Sequence, residues 1–294
     1  MMHSSWAGDA AFEVQLHRLL CNTAPPLNAA VARWLPGPME VPASTSVPSP
    51  NDQTSWYRYQ KLGRLLHFVS ARAREGDADA VLRSIEDFVG DANQRWLKVA
   101  GGAKSEVVAA ALDAAALREG EVALEMGCFV GYTAIRLGHL VSERHLSKPG
   151  LVSTEMEALH LCISRHHVDL AQLSTVAEVW AGHIPWATPR YVEQFGDRSV
   201  PFTFMDHKGT RFHEDFRDCR ISGVLCPNSL LLCDNVLKPG APVHLWRHHR
   251  TASPGARLFS LTEFREPDME DWQSLLYNPP PTASAFLERG AERQ

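Results

Sequence analysis

The stretch Val122–Leu137 constrains the fold of this chain more than any other: it reads Val-Ala-Leu-Glu-Met-Gly-Cys-Phe-Val-Gly-Tyr-Thr-Ala-Ile-Arg-Leu. Val122 to Met126 is a short apolar run of the kind a buried parallel strand shows. The run breaks at Gly127 and again at Gly131. Ala134, Leu137, Leu140 and Val141 then fall at helix-face spacing. Strand, glycine turn and helix are the first half of a nucleotide-binding βαβ unit. Glu125 stands at the strand's carboxyl end, where open α/β sheets place ligands. A second short run, Gly150 to Met156, carries another acid near its end, Glu155, placed to accept both hydroxyls of a ribose.

The glycine pattern selects among ligands. A dinucleotide pyrophosphate calls for G-x-G-x-x-G, whose amides face the anion at a helix start. Here the spacing is Gly-x-x-x-Gly after an acid, and a glutamate beside a pyrophosphate repels it. S-adenosylmethionine (SAM) has no phosphate and carries an ammonium and a sulfonium, so an acidic, glycine-poor turn suits it. On this stretch alone, a βα turn with no ligand stays open.

The chain has 294 residues, room for one large α/β domain or two small ones, and 45% are apolar, enough for a sizeable core. A formal net charge of −5 argues against a general nucleic-acid binder. The six cysteines, Cys21, Cys128, Cys162, Cys219, Cys226 and Cys233, contain no C-x-x-C pair. Neither a zinc site nor a disulfide framework is expected, and a reducing, cytoplasmic setting is. No apolar run is long enough to span a bilayer, and Met1 to Cys21 lacks the pattern of a secretory signal, so no membrane partner is expected.

Residues 1–51 read as an extension, with a short amphipathic helix over Ala11 to Leu20 and a Pro- and Ser-rich linker from Pro36 to Pro50. Helical spacing follows over Trp56–Val69, Asp79–Val89 and Lys104–Leu117, with a glycine-containing loop from Trp96 to Ala103. Beyond Glu121, strands and helices alternate. Expected strands are Val122–Met126, Leu151–Glu155, Glu178–Ala181, Phe202–Asp206, Ser229–Asp234, Arg257–Leu261 and Trp272–Tyr277. Expected helices are Tyr132–Ser142, Ala158–Leu170, Pro189–Phe195, Glu214–Ile221 and Pro242–His249. This alternation predicts an α/β fold with a mostly parallel sheet, helices on both faces and the last two strands as an antiparallel edge pair. Residues 52–277 form the predicted domain, and 278–294 a loosely ordered tail.

Two further strand ends carry hard oxygens: Asp206 after Phe-Thr-Phe-Met, and Asp234 with Asn235 after Ser-Leu-Leu-Leu-Cys. Such a set suits Mg²⁺ or Ca²⁺ rather than a thiolate-seeking ion; Mg²⁺ prefers about six oxygens in an octahedron, and three protein oxygens leave room for a bidentate diol and a water. Helix capping by strand-end Asp and Asn is the competing explanation. Capping accounts poorly for Glu125, Glu155, Asp206, the pair Asp234 and Asn235, and Glu263 all falling at the carboxyl ends of five strands.

From about Val81 to Tyr277 the chain resembles the catechol O-methyltransferase family. Trp-Leu-Lys-Val-Ala-Gly-Gly-Ala-Lys (Trp96 to Lys104) looks like the family's entrance loop, and Leu-Glu-Met-Gly-Cys-Phe-Val-Gly-Tyr-Thr-Ala like its methionine-binding turn. Thr154 to Met156 is similar to its ribose-binding strand end. Met205-Asp206-His207 and Asp234-Asn235-Val236 are similar to its metal motifs, followed by Pro239-Gly240 and by Leu-Thr-Glu-Phe around Glu263. The resemblance implies a Rossmann-like methyltransferase fold of seven strands. It places Glu125, Gly127, Tyr132 and Thr133 around the methionine part of SAM, with Ala100 touching it through backbone. Glu155 takes the ribose, Met156 and Trp180 or its neighbours border the adenine, and His207 lies near the cofactor. Asp206, Asp234 and Asn235 hold Mg²⁺. Trp96 and Pro239 wall a flat catechol-like substrate, and Glu263 accepts a hydroxyl proton. An ordinary core role for Trp96 and a structural one for His207 fit the sequence equally.

The chain departs from the family in two places. The family's catalytic lysine stands three residues after the metal aspartate; here that position is Gly209. Lys208 comes one residue early, where the family has an aromatic. The family's adenine-facing serine and glutamine are replaced by Gly182-His183-Ile184. Lys208 is therefore the candidate base, provided that Gly209 adopts positive φ and re-aims the loop. Otherwise the enzyme is slow, and Lys208→Trp with Gly209→Lys should raise turnover about tenfold or more. The sequence thus predicts a monomeric, SAM- and Mg²⁺-dependent O-methyltransferase acting on a small catechol-like diol. The rivals are a weak or inactive binding protein on the same fold and a nicotinamide-dependent oxidoreductase. The methyl acceptor and the role of residues 1–51 are not legible.

Overall fold

The computed structural model describes residues 52–144, 149–249 and 255–278. The predicted extension, the Ala11–Leu20 helix, the proline-rich linker, Cys21 and the tail beyond Asn278 lie outside them. The helices are α1 (Asp52–Arg72), α2 (Ala78–Val89), α3 (Ala103–Ala115), α4 (Tyr132–Ser142), α5 (Ala158–Leu170), α6 (Ile184–Phe195), α7 (Phe212–Ser222) and α8 (Pro242–His249). The strands are β1 (Ala123–Met126), β2 (Leu151–Glu155), β3 (Ala177–Ala181), β4 (Val200–Met205), β5 (Leu225–Cys233), β6 (Ala256–Glu263) and β7 (Glu266–Tyr277).

The strand order is β3-β2-β1-β4-β5-β7-β6. Strands β1 to β5 pair in parallel, and β7 runs antiparallel to both its neighbours. Strand β6 therefore points the same way as β1 to β5, which brings Glu263 to the edge that holds Glu125, Glu155, Asp206 and Asp234. The sheet is covered on both faces. Ala123 packs with α1 to α5, and Leu124 and Met126 with α6 to α8, as the two-residue pleat requires. Local signals work as expected in α2, where Asp77 accepts from the Ala80 N–H at 2.8 Å and Val81, Leu82, Ile85, Phe88 and Val89 face the core.

Several boundaries differ from expectation. Helix α6 starts at Ile184 rather than Pro189, because Pro185 sits in the first turn, where its missing N–H costs nothing. Strand β5 starts at Leu225 rather than Ser229, across a register shift against β4 between Val200 and Phe202. Strand β7 starts at Glu266 rather than Trp272. Asn278, placed by expectation in the tail, donates its backbone N–H to Ser229 O at 2.9 Å. No helix among the described residues is long and apolar enough to cross a membrane.

Two buried histidines give the fold a pH dependence. Nδ1 of His167 lies 2.8 Å from Val130 O, and Nε2 of His244 lies 3.1 Å from Ser274 Oγ. Burial, helped by His166, pushes His167 down to about 3. Burial, helped by His248 and His249, does the same to His244. Unfolding lets each take up a proton below its free pKa of about 6.5. Their neutral burial is thus fully tolerated above that pH and costs stability as pH falls, by up to about 1.4 kcal/mol per pH unit for each. His244→Gln is expected to flatten the unfolding free energy between pH 6.5 and 5 by about that slope in denaturant titrations; an unchanged slope would mean that His244 protonates in the fold.

Candidate active site

The strand order reverses between β1 and β4, and the crevice outside their carboxyl ends is where such sheets bind ligands. The loops leaving these two strands touch. Gly127 has φ +94°, and a Cβ there would lie 2.6 Å from Asp206 O. Only glycine meets both demands. Glu155, ending β2, closes the same edge. Its carboxylate accepts from the N–H groups of Phe129 and Met156 at 2.8 Å and of Glu157 at 2.9 Å. Burial opposes its ionisation, but His160 and these amides outweigh burial and hold its carboxyl below the usual range.

Two cavities open here. The larger, about 580 Å³, is lined by Gly127, Glu155, Met156, Gly182, His183, Ile184 and Lys208, among others. The smaller, about 190 Å³, is lined by Trp96, Lys98, Asp234, Asn235, Pro239 and Glu263, among others. Phe129, Asp206 and His207 line both, so the cavities share a wall. The first is of the size that takes a nucleoside-like ligand, the second one ring.

The acids of the smaller cavity are crowded. Burial and the neighbouring Asp234 push Asp206 well above the usual carboxylate range. Burial raises Asp234 to about 6 against the pull of Lys104. Asp234 Oδ1 is buried without a hydrogen bond, with the Lys104 ammonium 3.2 Å away. Asn235 Nδ2 donates to Asp271 at 2.7 Å, which assigns Oδ1 as its other end, and Asn235 makes no side-chain cap bond to the turn it precedes. Among the described residues no three His, Cys, Asp or Glu side chains form a metal-binding group. A metal here needs the Asn235 oxygen as its third protein donor. Two under-neutralised carboxylates and an amide oxygen suit a hard divalent cation.

Of the residues singled out from the sequence, Gly127, Glu155, Met156, Lys208 and His207 meet at the larger cavity. Trp96, Asp206, Asp234, Asn235, Pro239 and Glu263 meet at the smaller. Ala100, Glu125, Tyr132 and Thr133 are buried and line neither. Glu125 falls on the opposite pleat from Met126 and accepts from Ser153 Oγ at 2.5 Å; burial raises its carboxyl to about 8, which favours its neutral form. The Tyr132 hydroxyl donates to Glu86. His207 is tied through Nε2 to Asp215 at 2.7 Å, leaving a buried Nδ1 without a partner.

No family model matches the chain. It is 27% identical over 183 residues to catechol O-methyltransferase of Mus musculus, covering 61% of this chain and 64% of that protein. It is 27% identical over 184 residues to catechol O-methyltransferase B of Danio rerio, covering 62% and 66%. By sequence the chain is similar to catechol O-methyltransferases. It spans just under two thirds of the length of these relatives. In fold it is similar to the O-methyltransferase TomG of Streptomyces achromogenes, solved in complex with SAM, with TM-score 0.53, 19% identity and coverage of 73% of this chain and 95% of that one. An O-methyltransferase of Bacillus cereus, in complex with SAH, gives TM-score 0.53 and 18% identity over 67% of this chain and 90% of that one. The fold is the Rossmann-like methyltransferase fold.

The structure places Gly209 inward and Lys208 outward. Gly209 is buried and has no positive φ, so the re-aimed loop that the sequence allowed does not form. Lys208 is exposed and lines only the larger cavity. Lys104 and Asp271, which no sequence motif marks as site residues, stand directly behind the smaller cavity's acids. Lys104 is fully buried, and its ammonium lies 2.7 Å from Glu263 and 2.8 Å from Asp271.

Proposed function

We propose that this chain is a SAM-dependent O-methyltransferase whose acceptor is a small catechol-like diol held beside Mg²⁺. The observation that carries this reading is the pair of cavities with a common wall at Phe129, Asp206 and His207, one nucleoside-sized and one ring-sized. A transfer between two ligands needs this adjacency. When bound, SAM supplies the methyl group and Mg²⁺ supplies charge that orients a diol and acidifies its hydroxyl. The chain supplies the rest. Glu155, ionised and anchored by three amides, has lone pairs left to accept ribose hydroxyls. Met156 and Ile184 offer apolar flanks for the adenine. Trp96, Phe129 and Pro239 confine a flat ring, and Glu263 takes a hydroxyl proton. Asp206, Asp234 and Asn235 are the proposed Mg²⁺ ligands. A nicotinamide cofactor is disfavoured by the turn after β1, which lacks the G-x-G-x-x-G spacing that a pyrophosphate calls for.

Calorimetry tests the cofactor half. S-adenosylhomocysteine should bind and NAD should not. Glu155→Ala should weaken the former by about 1.5–3 kcal/mol, the worth of hydrogen bonds to a charged group. Unchanged affinity in a folded variant would remove Glu155 from the site. A slow or inactive SAM-binding chain is the second reading, favoured by the absence of lysine from Gly209 and by the outward placement of Lys208. SAM binding with no methylated product would select it.

A further inference from the structure

Lys104, at the start of α3, makes a junction that the proposed reaction has not yet used. Its Nζ lies 2.7 Å from Glu263 Oε2, 2.8 Å from Asp271 Oδ2 and 3.2 Å from Asp234 Oδ1. Asp271 extends the junction: it accepts from Asn235 Nδ2 at 2.7 Å and from the Lys238 N–H at 3.0 Å. One ammonium therefore fastens the acceptor-side acid, one proposed metal ligand and, through Asp271, a second ligand together with the backbone just ahead of Pro239. The sheet does not fix Glu263 by itself, since the β6–β7 register shifts between Thr262 and Glu263. Nor is stability a sufficient reason for the junction, because buried ion networks are often replaceable by apolar side chains at no loss.

We propose that Lys104 is a positioning residue that sets Glu263 and Asp234 at the spacing in which an acceptor diol meets both. The inference rests on the acceptor site proposed above. The test titrates catechol, by calorimetry, into chain loaded with S-adenosylhomocysteine and Mg²⁺, for the parent, Lys104→Met, Glu263→Gln and the double variant. Lys104→Met should weaken catechol at least about tenfold, and only about threefold or less in the Glu263→Gln background, because residues that act through one another are not additive. Affinity for S-adenosylhomocysteine should stay within about twofold, since Lys104 does not line the larger cavity. Lys104→Gln, of similar reach and uncharged, carries the same expectation if the methionine variant does not fold. Equal losses in both backgrounds, or a parallel loss of S-adenosylhomocysteine, would overturn the inference alone. A parent chain that binds S-adenosylhomocysteine but not catechol would overturn the acceptor site and this inference with it.

Discussion

Asp206→Asn is expected to lose methyl transfer by on the order of a thousandfold, the scale of several kcal/mol of lost metal assistance. In chelator the same variant should melt higher than the parent. Both effects have one cause. Asp206 sits between the two cavities with its carboxyl pushed well above the usual range, first by burial and then by Asp234. A raised carboxyl pKa means that ionisation is disfavoured in the fold relative to the unfolded chain. The penalty is absent below the ordinary carboxylate range and present at neutral pH. An amide of the same shape removes it, for a gain on the order of 1 kcal/mol or about 2–4 °C. Local strain of this kind is tolerated where a ligand relieves it. A variant that melts lower in chelator, or that keeps its rate, would contradict this reading of Asp206.

Gly209→Lys is expected to lower the melting temperature and not to raise turnover, against the tenfold gain that the sequence alone suggested for the double change with Lys208→Trp. A Cβ on Gly209 would lie 2.5 Å from Gly240 O and 3.3 Å from Ala241 Cβ. Gly240 O belongs to the backbone and cannot swing aside like a side chain. Overpacking of this kind costs about 1–3 kcal/mol, at about 2–4 °C per kcal/mol for a domain of this size. The displaced segment is the one that carries Pro239, so the small cavity should widen as well. Thermal melts and initial rates on the variant check both parts. A folded variant with faster turnover would mean that the Gly209–Gly240 contact is dispensable and that the missing lysine alone limits the rate.

The strand–turn–helix at Val122–Leu137 and the strand-end acids were legible because pleat, glycine and apolar run are local signals. Helices α4, α5 and α8 fall on their predicted bounds for the same reason. Lys104 was not legible as a site residue. In an alanine-rich helix a lysine reads as solvated, and its burial is decided by partners 130, 159 and 167 residues away. Asp271 was hidden because β7 was expected to start one residue after it. Glu125 was placed correctly at its strand end, but the pleat turns its side chain toward Ser153 and away from the cavity. A one-residue change of face is invisible to a reading that stops at the end of the strand.

Methyl transfer itself decides whether the two cavities work together. The chain is incubated with SAM and catechol, with Mg²⁺ or with EDTA, and the products are read by mass spectrometry. A singly methylated catechol is expected, which disappears under thorough chelation and returns when Mg²⁺ is restored. Transfer that survives chelation would contradict the metal role of Asp206, Asp234 and Asn235, and failure to bind SAM at all would contradict the account as a whole.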